Sequence, residues 1–293
     1  MILAEFAPAK VNLFLHVGPL RPDGFHPLSS LMVFADVGDR LRLEPSGRFG
    51  IVLDGPFAGH APPGDDNLVA RAASALFSRV GVEAPAARLT LSKQLPAGAG
   101  LGGGSADAAA VLRLLRRAMD LEVEDAALLE ICAALGSDIP ACLASAPAIA
   151  EGRGEVLSPA APMPALSAVL VRPEAASPTG PVYRAFDDLG SDASIDPPPT
   201  PAAFADAAQV VSYLERCRND LEAPAVGLEP RIGEVLAALR NAPESLLVRM
   251  SGSGSACFAL CPDADAATQL AGRLTTARPE WWVQPCRLGG PWS

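Results

Sequence analysis

Aromatic side chains are scarce, only 5% of 293 residues, although 49% of the chain is hydrophobic. Ala, Val and Leu must therefore fill the interior. Positive charge is scarce too. Lys and Arg together number 23 against 33 Asp and Glu, a net charge of -10, and no basic cluster stands out. That excludes a nucleic-acid surface. No apolar run approaches the ~20 residues that cross a bilayer, so no membrane partner is expected. The cysteines at 132, 142, 217, 257, 261 and 286 form no Cys-x-x-Cys pair. Met1 is followed by no basic start and no long apolar run, hence no secretory leader. Free thiols in a reducing cytoplasm are the expectation.

What is present is a long chain with mixed periodicities. Its 293 residues are too many for one ordinary core and suit two domains. Strand patterns occupy 3–6, 11–17, 31–34, 40–43, 88–92, 166–172, 246–250 and 256–260. Helical spacing marks 67–80, 105–119, 125–135, 202–216, 231–241 and 264–275, and a helix begins at 139. Residues 54–66 read as an exposed loop. So do residues 187–200, where Pro197, Pro198 and Pro199 follow one another. Strands and helices do not alternate strictly, which favours an α+β fold over a doubly wound sheet.

The densest signal is Pro96-Ala97-Gly98-Ala99-Gly100-Leu101-Gly102-Gly103-Gly104-Ser105-Ala106-Asp107, directly before a helix. Glycine permits positive φ and close approach of backbone to ligand. A helix start adds unpaired N–H groups and the positive end of a dipole, so phosphate can be held without a cationic side chain. Gly98, Gly100 and Gly103 fit Gly-x-Gly-x-x-Gly, but no second strand ending in an acid follows, against a dinucleotide fold. Ser105 stands where a Walker loop needs Lys. A flexible loop with Ser105 as helix N-cap is the competing reading.

Near the amino terminus, Ala7-Pro8-Ala9-Lys10-Val11-Asn12 sets Lys10 and Asn12 on one face of a strand. Buried there, they need polar partners. Alternatively Lys10 lies on an edge strand and snorkels to water. Asp23-Gly24 signals a turn presenting Phe25 and His26, which could stack on and hydrogen-bond a base. The alternative puts Phe25 in the core and His26 at the surface. His16 is read as structural and His60 as solvated. Asp138, in Gly136-Ser137-Asp138-Ile139-Pro140, is a candidate base; in the alternative, Ser137 or Asp138 simply caps a helix.

The Gly-rich segment resembles the phosphate loop of the galactokinase, homoserine, mevalonate and phosphomevalonate kinase superfamily. Within it, Pro-Ala-Lys-Val-Asn-Leu at 8–13 and Asp-Gly-Phe-His at 23–26 resemble the cytidyl-diphosphate methylerythritol kinases. So do Gly136 to Pro140, Glu151-Gly-Arg-Gly-Glu155, Asn219-Asp-Leu-Glu222 and Met250-Ser-Gly-Ser-Gly254. The similarity spans residues 7 to 260.

That resemblance implies a two-domain kinase, residues 1–158 carrying the phosphate loop and catalytic pair. Residues 159–293 would close the cleft through Ser251 to Ser255. It implies transfer of the ATP γ-phosphoryl group to the substrate's 2-hydroxyl, with Pro96 to Ala106 binding ATP, Asp138 as base and Lys10 as its partner. Mg²⁺ would accompany ATP, Ser105 being the nearest candidate ligand; no metal site of the protein's own is expected. Asn12, Phe25, His26, Thr179 and Tyr183 would bind the substrate, the last two by matching the Thr-x-x-x-aromatic spacing of a relative. The partners are thus two small molecules, ATP and a cytidyl-diphosphate sugar alcohol, and the protein is a monomer or homodimer. The sequence departs from the family at Ala106, where many relatives have a second serine, and at Phe25, commonly tyrosine. A homoserine- or mevalonate-type kinase and a non-catalytic ATP-binding module are the rival readings. Asp-Gly-Phe-His opposes the first, and the joint presence of Lys10 and Asp138 opposes the second.

Overall fold

A computed structural model describes residues 2–190 and 194–292. Two long strands organise it, β1 (Leu3–Val17) and β2 (Leu28–Pro45). Each reads in the sequence as two short strands. They run on because irregularities are absorbed as register shifts, between Pro8 and Lys10 and between Asn12 and Phe14. A bulge is one of the few places where a strand tolerates proline. β2 pairs with β1 from end to end. Its other edge is shared by β5 (Ala148–Gly152), by β10 (Trp282–Gly289) and by β4 (Ala87–Ser92).

The sheet continues from β10 through β7 (Leu166–Arg172) to β9 (Cys257–Leu260) and β8 (Leu247–Met250). At the opposite end β3 (Gly50–Asp54) joins β4 in parallel, and β6 (Val156–Pro159) closes a hairpin with β5. Ten strands thus form one mixed sheet among the described residues, consistent with the α+β expectation.

Helices pack on this sheet in two groups. α1 (Leu68–Val80), α2 (Gly103–Ala118), α3 (Asp125–Leu135) and α4 (Ile139–Ala144) cover the amino-terminal half. α5 (Thr179–Leu189), α6 (Ala207–Leu214), α7 (Glu222–Leu228), α8 (Pro230–Arg240) and α9 (Ala264–Ala277) cover the other. α2 is the central one, buried along Ala106, Ala108, Ala109, Ala110, Val111, Leu112, Leu114 and Leu115. Its alanines let the helix lie close against β1, and each buried leucine contributes roughly 1.5–3 kcal/mol.

Several boundaries differ from the sequence reading. α2 begins at Gly103, not Ser105, because Gly102 takes the N-cap position in the left-handed conformation. Ser105 is therefore inside the first turn and is not the cap. α6 begins after Asp206, whose side chain accepts from the Gln209 N–H, so 202–206 are not helical. α5 extends to Leu189, which removes the start of the loop expected at 187–200; residues 191–193 of that loop lie outside the described residues. All six cysteines are free and buried. No helix is long and apolar enough to cross a membrane among the described residues.

Candidate active site

Lys10 projects from β1 and is buried. Its ammonium donates to Asn12 Oδ1 at 2.7 Å and lies 3.1 Å from Asp138 Oδ2. The amide of Asn12 is itself fixed, because its Nδ2 donates to Ser30 Oγ at 2.7 Å and Ser30 Oγ donates to the Phe14 carbonyl at 2.6 Å. This buried chain orients the acceptor that Lys10 meets, so Lys10 does not snorkel to water. Asp138 occupies the N-cap position of α4, yet its carboxylate makes no capping hydrogen bond. It turns instead towards Lys10, and a third of its side chain remains open to solvent.

The glycine loop closes over this pair. Gly102 (φ +63°) is the point of contact: a Cβ there would lie 3.2 Å from Lys10 Cβ and 3.9 Å from Asp138 Oδ2. Gly100 (φ +72°) approaches the carboxy-terminal Ser/Gly loop so closely that a Cβ would sit 2.5 Å from the Ser251 carbonyl oxygen. Ser251 Oγ donates to the Gly100 carbonyl and accepts the Asn12 N–H, both at 3.1 Å. The Ala256 N–H donates to the Ala99 carbonyl. The 251–255 segment thus fastens the loop to β1, and Asn219 holds that segment by donating to the Met250 and Gly252 carbonyls.

A cavity of about 370 Å³ runs along the loop, walled by Pro96 to Ser105. Ala106 does not line it; its side chain is packed in the core against α2's neighbours. Ala99 and Leu101 border the cavity although both are buried. The cavity is completed by groups that sequence reasoning missed: His60, Ala61 and Pro62 from the 54–66 loop, Asn67, and Lys93 with Asp107. Lys93 is buried between two carboxylates, donating to Asp39 Oδ2 and, at 2.6 Å, to Asp107 Oδ2. Asp39 also accepts the Gln94 and Leu95 N–H groups. Asp107 Oδ1 has no partner among the described residues. Burial, then the Asp39 charge, push the Asp107 carboxyl well above its usual range. One signal in the sequence pointed here. The chain has only two lysines, Lys10 and Lys93, and both reach this site.

The remaining predicted residues gather on the other side of the Lys10–Asp138 pair. Phe25 is 49% exposed whereas the His26 side chain is only 8% exposed, the reverse of the alternative that buries Phe25. His26 Nδ1 is 2.9 Å from the Gly18 carbonyl and so carries a hydrogen; Nε2 faces Asp187 Oδ1 at 3.5 Å. Its ring lies 5.1 Å from that of Tyr183. Burial, then the Asp138 charge, push the Tyr183 hydroxyl up to about 12, so it stays neutral. Thr179 Oγ1 is 3.0 Å from Ser253 Oγ. Two adjoining cavities hold these groups. One of about 660 Å³ is walled by Phe25, His26, Thr179, Tyr183 and Asp187. The other, about 250 Å³, is walled by Lys10, Asn12, Asp138, Thr179, Tyr183 and Ser253. A larger cavity of about 680 Å³ between β3 and α1 has Asp65 as its one ionisable wall residue and shares Asn67 with the cavity along the glycine loop. His16 is structural as expected, accepting the Arg218 N–H at Nε2, and His60 is exposed.

A glycine loop opening a helix, next to a buried lysine and an aspartate, is a site for moving a phosphoryl group. Residues 67–146 match the GHMP kinases N terminal domain and residues 205–279 the GHMP kinases C terminal domain. Fold and site together define an ATP-dependent small-molecule kinase. The chain is 55% identical to 4-diphosphocytidyl-2-C-methyl-D-erythritol kinase of Caulobacter vibrioides (strain NA1000 / CB15N), over 98% of this chain and 100% of that one. The kinase of the same name from Caulobacter sp. (strain K31) is 53% identical over 99% and 100%. A crystal structure of 4-(cytidine 5'-diphospho)-2C-methyl-D-erythritol kinase superposes with TM-score 0.79 at 36% identity, covering 99% of this chain and 100% of that chain. Homoserine kinase from Cytophaga hutchinsonii shares the fold, at TM-score 0.69 and 19% identity, over 99% and 96%. The chain belongs to the 4-diphosphocytidyl-2-C-methyl-D-erythritol kinase family.

Proposed function

We propose that the site phosphorylates the 2-hydroxyl of 4-diphosphocytidyl-2-C-methyl-D-erythritol, with ATP as donor. The observation that carries this reading is the meeting of Lys10, Asp138 and Gly102 between two cavities. One has the character of a phosphate site and the other of a base site. The substrate hydroxyl oxygen attacks the γ-phosphorus, the bond to the β–γ bridging oxygen breaks, and ADP leaves. Asp138 takes the hydroxyl proton, while Lys10 holds the carboxylate and faces the charge that develops. Backbone N–H groups at the start of α2 receive the phosphates. Cytosine stacks between Phe25 and Tyr183. His26 Nε2 and the Asp187 carboxylate meet the base edge, where uracil lacks the exocyclic amine.

Mg²⁺ accompanies ATP in this reading. No group of three or more His, Cys, Asp or Glu side chains that could hold a metal ion exists among the described residues, so the ion would take most of its oxygens from ATP and water. The half-buried Ser105 hydroxyl, in the cavity wall, fits as a protein ligand; the ion supplies charge neutralisation to the phosphates. The two family segments are read as two lobes dividing near residue 158, working in the cytoplasm as a monomer or homodimer. ADP release, measured with the cytidyl substrate, homoserine and mevalonate in parallel, tests the assignment. Turnover confined to the cytidyl substrate is expected. Equal or greater turnover of another acceptor sinks it, and release with none of the three points to a different alcohol.

A further inference from the structure

Arg153 stands at the tip of the turn joining β5 to β6. Gly152 and Gly154 flank it at φ +70° and +104°, and its N–H is held by the Glu155 carboxylate at 2.5 Å. The turn therefore fixes where this side chain begins. Its guanidinium lies 4.6 Å from the centre of the Phe25 ring. Its ion pair with Glu155 spans 3.8 Å, and both side chains are about half exposed, 51% and 44%. Such a pair is weak and screened. Among the described residues the Arg153 guanidinium donates no hydrogen bond. Buried Arg249, by contrast, spends its guanidinium on the Leu13, Leu214 and Cys217 carbonyls.

Position gives this uncommitted cation its meaning. Arg153 lines both the cavity around Phe25 and His26 and the cavity around Lys10 and Asp138. The other cations there reach one cavity each: Arg184 the first, and Lys10 the second. Lys10 is already engaged by Asn12 and Asp138. A substrate with its base at Phe25 and its reacting hydroxyl at Asp138 must thread its linking diphosphate through the junction. In a chain of net charge -10, two anionic substrates need cations placed locally.

We infer that Arg153 binds the diphosphate of the substrate; the inference rests on the base-pocket reading above. In the free protein the guanidinium is parked on Phe25. On binding it swings to the phosphates, where its planar fork can donate to two oxygens at once, and it frees the ring face for the base. Arg153 is thus a substrate-binding residue that trades a cation–π contact for a charged one.

Calorimetric titration of the full chain with cytidine and with cytidine 5′-diphosphate separates the parts. Wild type should bind the diphosphate more tightly than the nucleoside, and rising salt should erode the difference. Arg153→Gln should weaken the diphosphate about tenfold or more and leave cytidine unchanged or tighter. Arg153→Lys should recover part of the loss, since it restores charge without the fork. Arg184→Gln is the control and should leave the ratio of the two affinities near wild type. A parallel loss for cytidine and cytidine 5′-diphosphate in Arg153→Gln would mean that Arg153 serves only Phe25, and would overturn the inference. So would an unchanged ratio. If wild type binds neither probe, the base-pocket reading fails first and this inference falls with it.

Discussion

Gly102→Ala isolates the contact on which the site depends. The residue sits at φ +63°, where an L side chain costs roughly 1–2 kcal/mol. The added methyl would meet Lys10 Cβ at 3.2 Å and Lys10 Cε at 3.3 Å. Lys10 Cβ is anchored to β1 and cannot swing away, so either the loop or the strand shifts by a few tenths of an ångström. A misplacement of 1 Å costs on the order of 10²-fold in rate, so such a shift should lower kcat roughly four- to tenfold. Melting should fall by about a few degrees. The adjacent glycine is the internal control. Gly103 has ordinary helical φ, and a Cβ there would touch Leu95 at 3.5 Å, an unstrained distance. Gly103→Ala should therefore keep kcat and ATP affinity and melt at or slightly above wild type, helped by up to about 1 kcal/mol of helix propensity. Sequence alone treats the two glycines alike. Steady-state kinetics, calorimetric binding of a non-hydrolysable ATP analogue and thermal melting, run on both variants, decide the matter. Equal behaviour of the two, or a Gly102→Ala protein with native kcat, would refute the reasoning.

Three further outcomes are expected. Asp138→Asn should retain ATP-analogue affinity while kcat falls by about 10² to 10⁴-fold; near-native turnover would reduce Asp138 to a helix-terminal residue. Phe25→Ala should raise the dissociation constant of the cytidyl substrate by about one to two orders of magnitude through lost stacking, with ATP affinity untouched in the same titration series. Asp107→Asn tests the buried Lys93 cluster through pH. Burial and Asp39 raise the folded-state pKa of Asp107, so folding takes up a proton. Its stabilising contribution is present at acid pH and is lost as pH climbs from about 4 through the raised pKa. Asparagine keeps an oxygen for Lys93 and carries no charge. Denaturant unfolding should therefore show Asp107→Asn gaining on wild type as pH rises above about 4; a gap that stays constant or shrinks as pH rises contradicts the shift.

Much of the site was legible because it is written locally. Helix hydrogen bonds close within one turn, so the spacing of apolar residues in a short window locates α1, α3 and α9 to within a few residues. A glycine run before a helix carries its own chemistry, and Asp23-Gly24 is a turn wherever it occurs. β3, β5, β6 and β10 escaped notice for the opposite reason. β3, β5 and β10 take partners from distant segments, β6 is only four residues long and pairs with β5 alone, and β10 contains Pro285, which a local reading counts against a strand. The same limit hid Lys93, whose neighbours Asp39 and Asp107 come from separate elements.

From the sequence by itself came the family, the candidate phosphate loop, the two segments bearing the candidate pair and the turn bearing Phe25 and His26, since each is a contiguous motif whose residue types suggest a chemistry. Only the tertiary structure decided what those residues face. It turned Asp138 from a capping position towards Lys10, exposed Phe25 and buried His26. It set Gly102 against Lys10 and Asp138, and its neighbour Gly103 against Leu95. It placed Arg153 where two cavities join. Such outcomes depend on which distant backbones the sheet brings within a few ångströms, and that proximity is a property of the assembled fold.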